Sequence, residues 1–130
     1  MRKTLLTALA TAAALVVVAA AVAGSAAKEK VIGQASGSGL NATAVAEGDA
    51  KSPKALFVQV DANPAQAVQV DWYVVCNYPA FEVKDKKGKF TAQPPFRQKI
   101  PFPKKKPLKC GLSVSASIQE GDVNLTLLAR

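Results

Sequence analysis

Two cysteines sit in phase with the apolar rows of two alternating segments, and that pairing constrains the chain more than any other feature. Val68, Val70, Trp72, Val74 and Cys76 alternate with Gln69, Asp71, Tyr73, Val75 and Asn77. Cys110, Leu112, Val114, Ala116 and Ile118 alternate with Gly111, Ser113, Ser115, Ser117 and Gln119. Successive side chains of a strand point to opposite faces, so each cysteine belongs to the row that faces a core. The pattern predicts a small antiparallel β-sandwich, immunoglobulin-like in the logic of a cysteine bridge beside a tryptophan, with one disulfide between Cys76 and Cys110. Two free thiols or a metal pair are the alternatives. The chain has no histidine to complete a zinc site.

The amino-terminal residues predict export. Met1-Arg2-Lys3 is a short cationic start, Leu5 to Ala23 is an apolar run broken only by Thr7 and Thr11, and small residues follow through Ala27. That order is the pattern of a secretory signal peptide, with cleavage expected after Ala27 and Ala23 as the second choice. An uncleaved membrane anchor is the competing reading of a run this long. Export also suits a disulfide, because thiols oxidise and stay oxidised outside the cytosol. The expected location is secreted or extracellular, with association to the cell envelope.

The expected domain organisation is a signal peptide over 1–27, a flexible linker over 28–53 and a disulfide-stapled sandwich over 54–130. The linker expectation rests on Gly33-Gln34-Ala35-Ser36-Gly37-Ser38-Gly39, which shows no sustained apolar period. Ala44-Val45-Ala46 is a candidate first strand. Within 54–130, Leu56, Val58 and Val60 mark one strand, and Phe81 with Val83 a short one. Asp85-Lys86-Lys87-Gly88 reads as a hairpin turn. Phe96 to Phe102 reads as an edge strand, because Pro101 removes a ladder donor. Val123, Leu125, Leu127 and Ala129 mark the last. This makes about six or seven strands with no helical period.

Val68-Gln69-Val70-Asp71-Trp72-Tyr73-Val74-Val75-Cys76, Gly88-Lys89-Phe90-Thr91-Ala92, Cys110 to Ser117 and Val123 to Arg130 resemble a group of small secreted actinobacterial proteins of unknown function, over about residues 54–130. The resemblance implies export and a disulfide-linked β domain. Its motifs are framework motifs, so it brings no catalytic residues.

The missing histidine also removes the commonest general base and the usual partner of a serine or cysteine nucleophile. Asp61 and Asp71, on the polar faces of what read as neighbouring strands, are the one carboxylate pair with any prospect of joint chemistry. There is no glycine loop for a phosphate and no nucleophile elbow. The expectation is a non-catalytic protein that needs no cofactor and no metal.

Charge is the one strong departure from an ordinary surface. Seventeen Lys and Arg against nine Asp and Glu give +8, and loss of Arg2 and Lys3 with the signal leaves +6. From Lys84 to Lys109 there are ten cations and a single anion, Asp85. The candidate binding residues are Lys86, Lys87, Lys89, Arg97, Lys99, Lys104, Lys105, Lys106 and Lys109. With Lys86-Lys87 at one strand tip and Lys104-Lys105-Lys106 at the other, they would form a stripe roughly 20 Å long at about 3.3 Å per residue.

Lysines on an edge strand also block unwanted strand pairing, so the stripe has a purely protective reading. The functional reading is attachment to an anionic cell-wall or membrane-surface polymer, or to an extracellular protein, with nucleic acid not expected outside the cell. A third reading makes the lysine-rich Pro103–Pro107 loop the reactive segment of an exported protease inhibitor.

Overall fold

The structure, a computed structural model, describes residues 29–130, so the signal-peptide expectation over 1–27 lies outside it. Eight strands run in order: β1 (Lys30–Leu40), β2 (Thr43–Lys51), β3 (Leu56–Asn63), β4 (Val68–Tyr78), β5 (Glu82–Ala92), β6 (Phe96–Ile100), β7 (Lys109–Ser117) and β8 (Glu120–Ala129). They form two four-stranded antiparallel sheets, β1-β8-β3-β6 and β2-β7-β4-β5. Each of the pairs β1/β8, β2/β7, β3/β6 and β4/β5 is a ladder, so the chain is one long hairpin rolled over a common core. The antiparallel sandwich is the one expected, and its strand order is that of a jelly roll.

The alternating rows face inward as their spacing requires. Leu56, Val58 and Val60 of β3 and Val123, Leu125 and Leu127 of β8 meet Val68, Val70 and Val74 of β4 and Leu112, Val114 and Ala116 of β7, all buried in one cluster. Cys76 and Cys110 are bonded and stand directly opposite each other on β4 and β7. The bridge therefore staples neighbouring strands of one sheet and does not join the two sheets. It closes a loop with a sequence separation of 34, for which chain entropy alone gives about 3.8 kcal/mol.

Residues 30–51, expected as a flexible linker, are strands β1 and β2. The reason lies in which residues are small. Gly33, Ala35 and Gly37 alternate along β1, and Ala44, Ala46, Gly48 and Ala50 along β2. These rows meet where the two sheets converge, so closely that backbone touches backbone. A methyl group added at Gly33 would stand 2.5 Å from the carbonyl oxygen of Glu47, and one at Gly48 would collide with that of Ile32. A side-chain-free row reads as linker composition, yet here it is what lets the sandwich close.

The opposite edge is filled by large side chains. Phe90 of β5 and Phe96 of β6 pack edge to face with ring centroids 5.6 Å apart. Residues 85–88, expected as a hairpin turn, lie in the middle of β5, and the real turn is Pro79–Phe81. Gly88 is not there for a turn. It faces Trp72 across the ladder, and a β-carbon would come within 2.5 Å of the indole Cζ2. Trp72 is half-buried against the core. β6 is an edge strand as expected, and it ends at Ile100, just before Pro101.

Gly→Ala in a strand ordinarily stabilises by restricting the unfolded chain. At Gly48 the sign reverses: Gly48→Ala is expected to cost about 1–3 kcal/mol, the range of an overpacked core. Chemical denaturation of the two proteins measures it, and an unchanged or raised midpoint contradicts the close approach.

A lysine-lined cleft at one end of the sandwich

The rolled hairpin brings three connections to one end: residues 52–55 between β2 and β3, the turn Pro79–Phe81, and residues 101–108 between β6 and β7. Hydrogen bonds lock them together. The Ser52 amide donates to Leu108 O at 2.8 Å, and the Leu108 amide to Asn77 O at 2.8 Å. The amides of Lys54 and Ala55 both donate to the carbonyl oxygen of Arg130. Tyr78 clamps the long loop, donating through its hydroxyl to Lys104 O at 2.6 Å and accepting from the Lys104 amide at 2.9 Å.

Between the first and the last of these connections lies a cleft of about 540 Å³ lined by Lys54, Lys99, Ile100, Pro101, Phe102, Pro103, Lys104 and Lys105. Four lysines thus border one concavity. Among the described residues, only Lys104 of the four has a carboxylate partner, Glu82, at 2.7 Å. The Lys104 ammonium also lies 5.5 Å from the centroid of the Tyr78 ring. Glu82 reaches a second cation, Lys84, at 3.7 Å.

The nine expected binding residues do not form a stripe. Lys99, Lys104 and Lys105 converge on the cleft, and Lys106 and Lys109 lie at the same end. Lys54 completes the cluster although it is distant in sequence from the basic segment. Lys86 and Lys87, expected at a tip, sit in mid-strand.

Lys87 and Lys89 face a second concavity of about 550 Å³ on the outer side of the β2-β7-β4-β5 sheet, together with Asp71, Tyr73, Ser113 and Ser115. There Lys89 stands opposite Asp71 in the ladder, and Lys87 opposite Tyr73, whose hydroxyl donates to Asp85 at 2.8 Å. That bond holds the Tyr73 phenol above its ordinary range. Asp71 and Asp85 share this face with the two lysines, so its charge is mixed where that of the cleft is cationic.

Arg97 is committed elsewhere. Its guanidinium makes a two-pronged pair with Glu29 and lies 4.1 Å from the centroid of the Phe57 ring. Asp61 and Asp71 also fail to meet. They lie on β3 and β4, in different sheets, and both point away from the core, onto opposite outer faces. No group of three or more His, Cys, Asp and Glu among the described residues is placed to hold a metal ion.

No family model matches the chain, and no curated protein does. Among solved structures, the carbohydrate-binding module TmCBM61, solved in complex with beta-1,4-galactotriose, aligns at a TM-score of 0.42 with 10% identity, covering 80% of this chain and 90% of that one. A likeness at that level transfers neither fold nor ligand.

The Lys104 ammonium holds the Glu82 carboxyl below its usual range, chiefly through their hydrogen bond, with Lys84 adding attraction. A carboxylate lowered in this way contributes its stabilisation above the ordinary glutamate pKa and loses it as the pH falls through the lowered value. The Glu82 side-chain titration, followed by NMR, should therefore have its midpoint below that of a free glutamate. Lys104→Ala should move the midpoint up. Identical midpoints in the two proteins would show that the pair does not form.

Proposed function

We propose that this protein is an exported, non-catalytic binding domain that holds an anionic polymer of the cell envelope in the cleft bordered by Lys54, Lys99, Lys104 and Lys105. The convergence of those four cations on one concavity carries the reading, because three of them meet no carboxylate among the described residues. Lysines held close together by locked loops raise the local potential and concentrate phosphate or carboxylate groups. Ordinary edge protection needs lysines along a strand, not four from two separate segments around a hollow. Export is supported by the amino-terminal pattern and by a disulfide that suits an oxidising compartment. A non-catalytic role is supported by the absence of histidine and by the separation of Asp61 from Asp71.

Binding of this kind weakens steeply with salt, because each neutralised anionic group releases a counterion. The wild-type protein should be retained on isolated cell walls at low salt and elute as salt rises. The triple variant Lys54→Glu, Lys99→Glu, Lys105→Glu, which leaves the Lys104–Glu82 pair in place, should pass through with its thermal stability nearly intact. Co-elution of the two proteins would overturn the proposal.

A further inference from the structure

The same end of the molecule carries an apolar tip that the lysine cleft does not explain. Phe81 is fully exposed, with Val83 61% and Leu108 51% exposed. They are neighbours: the Leu108 amide bonds to Asn77 O, and Asn77 pairs in the ladders with Val83 on one side and Lys109 on the other. Phe81 sits at the apex of the whole rolled hairpin, and its display is costly. Ala80 and Phe81 both adopt left-handed backbone, at φ 67° and 61°, a region that residues other than glycine occupy rarely and with strain. Two such residues in succession turn a large ring away from the core and into solvent.

Cations flank this tip. Lys84 follows Val83 in β5 and Lys104 lies against Tyr78 beside the turn, both paired with Glu82 between Phe81 and Val83, while Lys109, two strands from Val83, pairs in the ladder with Lys51. An exposed aromatic with aliphatic neighbours, flanked by lysines, matches a bilayer whose headgroups are anionic. The ring enters the acyl boundary while the ammonium groups meet lipid phosphates. A soluble polyanion would engage the lysines and leave Phe81 unused. No helix among the described residues is long and apolar enough to cross a membrane, and none is needed for contact of this depth.

We infer that the turn Pro79–Phe81, with Val83 and Leu108, is a membrane-docking tip that meets the surface of a phosphatidylglycerol-type bilayer. This contact goes beyond the polymer binding proposed for the cleft, with which it shares only Lys104. Vesicle sedimentation separates the two. Wild-type protein should partition onto vesicles containing phosphatidylglycerol and not onto pure phosphatidylcholine. Phe81→Ser should lower that partition by about tenfold, the scale of one buried aromatic side chain, while binding soluble polyphosphate as wild type does.

Phe81→Trp should keep the partition and add a blue-shifted emission on the anionic vesicles, a shift that wild type, with Trp72 alone, should not show. Equal partition of Phe81→Ser and wild type overturns the tip. So does polyphosphate binding without vesicle binding, or capture of a protein through Phe81 without vesicle binding, although the lysine cleft survives each of these results. Failure to bind either probe removes both readings.

Discussion

The approach of β1 onto β2 sets the shape of everything else. Sheets packed through ordinary side chains lie about 10 Å apart. Along this edge Gly33, Gly37 and Gly48 let carbonyl oxygens of the facing strand occupy the space of a β-carbon. One side of the sandwich is therefore nearly shut. The interior widens toward β5 and β6, where Phe90, Phe96 and the half-buried Trp72 fill it. Gly88 gives the indole its place, and the graded row from glycine through valine and leucine to phenylalanine follows that widening.

Rolling a single hairpin also decides where the charges go. The connections 52–55 and 101–108 and the β4–β5 turn must all emerge at one end. Most of the lysines that lie in or beside those connections are gathered there, while Asp61, Glu120 and Asp122 lie toward the other end. The locked loop backbone matters as much as the charge. Tyr78 fixes Lys104 through both its amide and its carbonyl, so the cleft is held open without a ligand to order it. The disulfide between β4 and β7 lies beside the same end, and it ties the strands that carry Tyr78 and Lys109.

Much of the core was legible from alternation alone. The inward rows of β3, β4, β7 and β8 and the pairing of the two cysteines follow from residue types at period two. What was not legible is instructive. A strand whose inward row is glycine and alanine has no hydrophobic period to detect, so β1 and β2 resembled a linker. Asp85-Lys86-Lys87-Gly88 has turn composition, but its glycine answers a tryptophan on the neighbouring strand, a contact that depends on register. The true turn, Pro79-Ala80-Phe81, was hidden because neither Ala80 nor Phe81 is a residue that favours positive φ. The binding cluster was half visible: the run of cations was plain, but Lys54 joins it only through the pairing of Leu56 with Ile100.

Amide hydrogen exchange of the oxidised protein tests the central claim most directly, because it asks whether the glycine-rich segment belongs to the folded body. The β1 amides that donate to β8, and the β2 amides that donate to β7, should exchange slowly and be released together with those of β3 and β8 as denaturant rises. If residues 30–51 exchange at the rate of an unstructured chain while β3, β4, β7 and β8 stay protected, the closed edge does not exist, and the shape built on it fails.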